Sequence, residues 1–510
     1  MTEPALELIG IDKHFGSNHA NKSVSFRVQR GEVLGLIGEN GAGKSTVMNM
    51  VFGYLKADHG QILVHGHEVD IKVPADAIAH GIGMVHQHFK LVDTFSVLEN
   101  IILGSEGAFQ LADRLALARG ELAELSKAFG LNVDLDALVS GLSVGDKQKV
   151  EILKALYRKA DILILDEPTA VLTPDETRHL FDILRQWRDQ GRTVILITHK
   201  LKEVLAVTDR VIVMRRGAVV ADLDTAHCTA EGLAEHMVGR PVILQVSKSV
   251  AVPGGDVVTL EHLSVNDSDG IPRVRDVSLS LRAGEITGLA GVSGNGQSEL
   301  IEAIAGLMPI SHGTIRFRGQ DLGLGGSAES VRKRREMGIA HVPEDRLVRG
   351  LIAELSARDN AILGRQNDPS FNNRNFLRPS AILNHCRSLM ASFDVRPSRP
   401  MQAGGHFSGG NQQKIVLGRE MENAPAFLIV GQPTRGVDIG AIEFIHKRIV
   451  ALRDQGAAIL LVSAELDEIL MLSDRVIVMS QGAIMGDIPA SQADERQIGL
   501  WMAGDHKVAA

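Results

Sequence analysis

Cysteine is almost missing from this chain of 510 residues: Cys228 and Cys386 are its only two. Two distant thiols supply neither a disulfide framework nor a zinc ligand set, and they suit a reducing compartment. A positive surplus is also lacking. The formal net charge is −8, which argues against a nucleic-acid binder. No run of about 18 apolar residues occurs, so no span is expected and any membrane role is peripheral. The opening stretch, MTEPALELIGIDKHF, has no basic region followed by an apolar one, so no signal peptide is expected. What remains is an ordinary globular balance, 44% hydrophobic and 23% charged. It excludes wholesale disorder and predicts two to four domains.

What is present first is a repeat. VSFRVQRGEVLGLIGENGAGKST from Val24 matches VSLSLRAGEITGLAGVSGNGQSE from Val277, an offset of 253 residues. DRVIVMRRGAVV from Asp209 matches DRVIVMSQGAIM from Asp474, an offset of 265. Two domains are predicted, residues 1–242 and 257–510, the second with a 12-residue insertion in its middle. The stretch 243–256, with Pro253, Gly254 and Gly255, is the expected linker. Each copy reads as α/β. Residues 33–37, 162–165 and 194–197 are short apolar runs suited to buried parallel strands, and 91–160 reads mainly helical.

In the first copy, Gly38-Glu39-Asn40-Gly41-Ala42-Gly43-Lys44-Ser45-Thr46 follows a strand and opens a helix. Glycines let successive N–H groups point at phosphates, and the helix start adds partial positive charge. Lys44 would reach the β and γ phosphates of ATP, and Ser45 would bind Mg²⁺. A second apolar run ends in Asp166 and Glu167. Asp166 suits the Mg²⁺ shell, and Glu167 the general base for an attacking water. His199, just past another strand, could orient the γ-phosphate and the water. Gln87 could sense Mg²⁺ and the water. Phe15 could stack on adenine, with a core phenylalanine as the bland alternative.

One more motif sets the class. LSVGDKQ from Leu142 precedes the carboxylate strand of copy one, and FSGGNQQK from Phe407 precedes the matching strand of copy two. These resemble the signature of ABC-type ATPases. The resemblance covers nearly the whole chain, in the order loop, glutamine, signature, carboxylates, histidine. It implies two tandem α/β P-loop ATPase domains. Each would have a mostly parallel core sheet, an antiparallel β subdomain and a helical signature subdomain. It also implies head-to-tail pairing, with ATP between the loop of one domain and the signature of the other.

The second copy departs from that pattern. Gln297 replaces the lysine of the loop, beside Ser298. Gly431 and Gln432 stand where the two carboxylates belong, Ala464 where the histidine belongs, and Glu344 where the sensing glutamine belongs. An amide has no useful basicity at neutral pH. No aromatic residue lies between Val257 and Val277 to stack a base. Pairing the halves joins the intact loop to the intact Ser408-Gly409-Gly410. It joins the altered loop to Ser143-Val144-Gly145-Asp146, where Val144 is β-branched and Asp146 adds negative charge. The losses would fall on one composite site.

Twin domains with VPEDR and SGGNQQK in the second half resemble the ATPase subunits of bacterial sugar and nucleoside importers. MVHQHFKLV from Met84 and QPTRGVDIGAIEFIHKR from Gln432 resemble the nucleoside branch. The resemblance implies two membrane permease subunits, an extracytoplasmic binding lipoprotein, and a peripheral place on the cytoplasmic face of the inner membrane. A sugar importer is the alternative. A soluble ABC factor acting on the ribosome fits less well, because it would carry a long charged linker and two intact sites. The pairs His65/His67 and His86/His88 lack further ligands near them in sequence. The basic run 332–335 reads as a solvated helix face, and Trp187 as core.

Overall fold

The computed structural model describes residues 3–16, 18–86, 90–104, 111–142, 144–158, 160–169, 172, 174–241, 248–292, 294–374, 376–437 and 439–504; at 111–114, 144, 174, 328 and 439 only the backbone is described. The chain divides into two compact units, Met1–Val242 and Ile243–Ala510.

The strands of the first unit are β1 (Leu6–Phe15), β2 (Asn18–Val28), β3 (Val33–Gly38), β4 (His59–Val64), β5 (His67–Glu68), β6 (Ile82–Val85), β7 (Ile162–Asp166), β8 (Thr193–Ile197), β9 (Arg210–Arg215) and β10 (Ala218–Asp224). They form an antiparallel sheet, β2-β1-β4-β5, and a six-stranded sheet, β10-β9-β3-β8-β7-β6, parallel except at β10. Every residue of β3, β7 and β8 is buried, which is why these runs are apolar throughout rather than alternating. Successive side chains point to opposite faces. Leu34, Leu36, Ile162, Ile164, Ile195 and Ile197 join the cluster with β1, β2 and the helix Lys44–Val51. Val33, Leu163, Leu165, Val194 and Leu196 join the opposite cluster, with helices Val97–Ile102, Leu111–Phe129 and Val144–Tyr157. Trp187 is fully buried there, as its helical spacing suggests.

The second unit repeats the plan with β11 (Asp256–Asn266), β12 (Pro272–Arg282), β13 (Ile286–Ala290), β14 (His312–Phe317), β15 (Gln320–Asp321), β16 (Ile339–Val342), a small hairpin β17 (Asn372–Asn373) and β18 (Phe376–Leu377), then β19 (Phe427–Gly431), β20 (Ala458–Val462), β21 (Arg475–Ser480) and β22 (Ala483–Pro489). Its sheets are ordered β12-β11-β14-β15 and β16-β19-β20-β13-β21-β22. No helix among the described residues is long and apolar enough to cross a membrane.

Three details differ from the sequence reading. The 12 extra residues are not one insertion. Ile82 and Ile339 pair with Ile162 and Phe427, which are themselves equivalent, so four extra residues precede β16 and eight follow it. The expected linker is not free over its described part. Lys248 Nζ donates to the carbonyl of Ser473 at 2.5 Å, and Gly254 N donates to Ala283 O at 2.8 Å, both within the second unit. The basic run is only half solvated. Arg334 is 2% exposed, and its guanidinium donates to the carbonyls of Ala303 and Ile304 (2.7 Å), closing the end of helix Gln297–Ala305. Arg335 reaches the buried Glu420 at 2.8 Å. A basic stripe that finds orphan carbonyls has a structural use that sequence spacing does not reveal.

Candidate functional site

The parallel strands β3, β7 and β8 end together, with Leu36 and Asp166 both in register with Ile197. Open α/β sheets gather their polar groups at these carboxyl ends. The loop after β3 turns through Gly41 (φ 80°) and Gly43 (φ 98°) into helix Lys44–Val51. A Cβ on Gly43 would lie 2.6 Å from the Asn21 amide and 2.7 Å from Ala20 O, so only glycine fits. Glu39, Asn40 and Ala42 lie in this loop, and Thr46 in the first turn of the helix. Lys44 is 6% exposed and donates to Gly38 O (2.7 Å) and Glu39 O (3.1 Å), holding its charge inside the loop. Burial lowers its pKa, while Glu167, Asp166 and Glu39 oppose that shift.

Ser45 Oγ donates to Asp166 Oδ1 at 3.4 Å. Burial holds the Asp166 carboxyl above its usual range, with the Ser45 bond opposing and the Glu167 charge reinforcing. Two oxygen donors side by side suit a hard divalent cation such as Mg²⁺. Glu167 follows with φ 48° and accepts at Oε1 from His199 Nδ1, 2.9 Å away. Burial alone would raise its pKa. The His199 bond and the charges of His199, Lys44 and Lys200 outweigh burial, so it stays below the usual carboxylate range. An ionised carboxylate fixed beside a phosphate-type loop can accept a proton from water. The Phe15 ring is 47% exposed at the end of β1, with Lys13 Nζ 5.7 Å from its centroid. It is a surface ring rather than a core one. Gln87 and Ser143 lie outside the described residues, as does the Val144 side chain.

In the second unit the same frame holds different groups. Gln297 opens helix Gln297–Ala305, and its amide Nε2 lies against the first glycine of the loop, 2.0 Å from where a Gly291 Cβ would be. Gln432 keeps the left-handed backbone, φ 47°, but its amide oxygen accepts from Ala464 N at 3.1 Å. Gly431 leaves room for Glu344, whose Cγ would sit 2.6 Å from a Cβ at that position, and Ser298 Oγ donates to the Glu344 carboxylate.

The two signature stretches also differ. Ser408 caps helix Gly409–Met421 by backbone alone; its Oγ accepts from Asn411 Nδ2 at 2.7 Å, leaving the first N–H groups without a side-chain cap. Such a helix start suits an anion. Gly409 could not carry a Cβ, which would lie 2.5 Å from Arg346 and 2.7 Å from Gly436 O. Gly410 is buried in the same turn. In the first unit a Cβ on Gly145 would meet Glu176 at 2.6 Å. Asp146 pairs with Lys149 at 2.8 Å, so the negative charge expected from it is partly offset.

Two positioning residues escaped the sequence reading. Asn21, fully buried, donates to Gly43 O at 3.1 Å and supports the loop from β2. Arg346 bonds Gln412 Oε1 (3.1 Å) and Arg435 O (2.8 Å), tying the signature helix to the turn after β19. Its signal was present as the last residue of VPEDR, but its partners are distant in sequence.

Comparison with known proteins agrees with this geometry. A family profile described as "ABC transporter" matches residues 21–170 and 274–435. The nucleoside import ATP-binding protein NupA of Lactococcus lactis is 44% identical over 502 residues, 98% of each chain. The guanosine import ATP-binding protein NupO of Bacillus subtilis is 44% identical over 98% of each chain. A glucose import ATP-binding protein of Haloferax volcanii is 41% identical over 98% of this chain and 96% of its own.

Proposed function

The chain belongs to the ABC transporter family, and from that premise we propose that it is the ATP-hydrolysing subunit of a bacterial inner-membrane importer, with nucleosides as its solutes. It works peripherally on the cytoplasmic face beneath two permease subunits, which receive solute from an extracytoplasmic binding lipoprotein. The two nucleoside-type relatives support the solute class. The glucose-type relative supports a second reading, sugar import. Proteoliposomes holding the chain with its cognate permeases decide between them: uptake of labelled nucleosides supports the first, and uptake of labelled hexose or pentose replaces it. Co-isolation with ribosomes instead of permeases would sink both.

Hydrolysis takes place at one composite site, built from the loop of the first domain and Ser408-Gly409-Gly410 of the second. The observation that carries this is the Glu167–His199 pair, 2.9 Å apart, against Gln432 bonded to Ala464 in the other copy. Phe15 stacks on adenine. Residues 38–46 wrap the phosphates, and Lys44 offsets their charge. Ser45 and Asp166 would hold Mg²⁺, which when bound would neutralise the developing phosphate charge, and Gln87 is the proposed sensor of the cation and the water. Glu167 takes the proton from water as its oxygen attacks the γ-phosphorus and the bond to the β-phosphate oxygen breaks. His199 keeps the carboxylate aimed. The other site, with Gln297, Ser298, Glu344, Gly431, Gln432 and Ala464 facing Ser143, Val144 and Gly145, does not hydrolyse. ATP turnover by the purified complex tests this: loss in Glu167→Gln and retention in Gln432→Ala are expected, and full turnover in the Glu167 variant refutes it.

A further inference from the structure

We propose that Glu203 is a positioning residue for ATP hydrolysis, a buried carboxylate that clasps the two turns carrying Glu167 and His199 and so fixes the contact between them. The proposal rests on the reading of Glu167 as the base. It concerns the first unit, with the second as its internal comparison.

Glu203 lies in helix Leu201–Val207, just after β8, and is 8% exposed. Both of its carboxylate oxygens accept from hydroxyls. Thr169 Oγ1 donates to Oε1 at 2.5 Å, and Thr198 Oγ1 donates to Oε2 at 3.2 Å. Both threonines are buried, so water does not compete for these hydroxyls. Thr169 stands two residues after Glu167, and Thr198 immediately precedes His199. One side chain therefore bridges the turn after β7 and the turn after β8, the same two segments that the Glu167–His199 bond spans at 2.9 Å. The Thr198 hydroxyl also accepts from Lys200 N at 3.0 Å, which fixes the backbone on the far side of His199. A second clasp acts on the first turn: buried Gln148 donates from Nε2 to the carbonyl of Pro168. A reacting pair keeps its geometry when the groups behind it are locked by packing and hydrogen bonds.

The second unit keeps these positions and opens both clasps. Glu468, Thr434, Ser463 and Gln413 are the equivalents of Glu203, Thr169, Thr198 and Gln148. Glu468 Oε1 pairs with His446 Nε2 at 2.7 Å, a histidine standing where the first unit has the core residue Phe181. Among the described residues Glu468 Oε2 has no partner, and neither Thr434 nor Ser463 donates to it. The Gln413 amide Nε2 is likewise buried without a partner among the described residues. The backbone bridge is common to both units, from Glu167 N to Ile197 O and from Gln432 N to Val462 O. The side-chain clasp is what differs. It is closed where the base has a histidine to meet and open where Gln432 faces Ala464. A glutamate in a first helical turn could serve its helix alone, but Glu468 holds the same place in helix Leu466–Leu472 without reaching either turn.

Steady-state ATP turnover by the purified complex, with equilibrium binding of a non-hydrolysable ATP analogue, tests this. Glu203→Met keeps the bulk but accepts no hydrogen bond, and Thr169→Val and Thr198→Val remove one hydroxyl each. All three should lower kcat about ten- to hundredfold, with KM and analogue affinity within about twofold of wild type. Thr169→Ser and Thr198→Ser, which return the hydroxyl, should recover most of the turnover. In a His199→Ala background, Glu203→Met should cost no more than about a further twofold, because the contact it fixes is already gone. Wild-type kcat in Glu203→Met overturns the proposal. So does a full, independent loss in the His199→Ala background, or a loss of affinity shared by the valine and serine variants, which marks a fold defect. The functional reading fails separately, if Glu167→Gln turns over ATP at the wild-type rate.

Discussion

Glu167 and Gln432 share one backbone conformation at the ends of equivalent strands, with φ of 48° and 47°. Each N–H donates across to the next strand, Glu167 to Ile197 O at 2.9 Å and Gln432 to Val462 O at 2.7 Å. A left-handed residue that is not glycine costs roughly 1–2 kcal/mol. Keeping it after the carboxylate has gone shows that the turn belongs to the fold, with the chemistry added to it.

The first prediction follows from that separation. Putting the carboxylate back does not restore chemistry, because Gln297, Gly431 and Ala464 still lack a cation, a second carboxylate and the aiming ring. Glu167→Gln should lower ATP turnover by about 10²–10⁴-fold, and the double variant Glu167→Gln/Gln432→Glu should stay at that level. Steady-state phosphate release by the purified complex measures it; recovery in the double variant would mean that the second frame is catalytically complete.

His199 gives a prediction in pH. Burial raises the Glu167 pKa, and the His199 bond, with the charges of His199, Lys44 and Lys200, brings it below the ordinary carboxylate range. Removing the ring removes the largest lowering contribution. In His199→Ala the acid limb of the turnover profile, where Glu167 takes up its proton, should therefore move to higher pH, with turnover at neutral pH reduced at least tenfold. A profile that only scales down, without moving, would confine His199 to a role on the phosphate.

These groups were legible because each sits within a few residues of an apolar run. Asp166 ends β7, Glu167 follows it, His199 lies just past β8 and Lys44 opens the helix after β3, and the strand is what the sequence reveals best. Glu344 replacing Asp166's partner role was not legible, since positions 298, 344 and 431 meet only through the order of β13, β16 and β19 in the sheet. Arg334 misled for a related reason: a charged helical stripe reads as solvated until the carbonyls it caps are seen. The half-exposed Phe15 was readable as a position but not as a surface ring.

Arg346 is predicted to act through the signature helix. Its fork spans Gln412 and the carbonyl of Arg435, and a lysine has one ammonium where two directions are needed. Arg346→Lys and Arg346→Ala should both lower turnover by about tenfold, a loss of roughly 1.4 kcal/mol in the transition state. Nucleotide binding at the first loop should be unchanged, because no part of that loop is altered. A matching loss of nucleotide affinity in both variants would show instead that the signature helix contributes to ground-state binding rather than to turnover alone.

His341 makes the second unit acid-sensitive. It lies on β16, and its Nε2 is buried without a hydrogen-bond partner among the described residues. Burial pushes its pKa down to about 4; Glu420 opposes that shift and Arg349, Arg335 and Arg419 reinforce it. In the unfolded chain a histidine titrates near 6.5. Between these values the unfolded state binds a proton that the folded state does not, so stability is full above pH 6.5 and falls as the pH drops towards 4. At about 1.4 kcal/mol per pH unit, the step from pH 7 to pH 5 removes about 2 kcal/mol through this residue. Urea unfolding followed by Trp501, the only tryptophan of residues 243–510, in a Trp187→Phe background measures it. His341→Gln should lose about 2 kcal/mol less than its parent over the same step. Equal losses in the two chains would mean that the ring is already protonated in the folded state, with Glu420 as its partner.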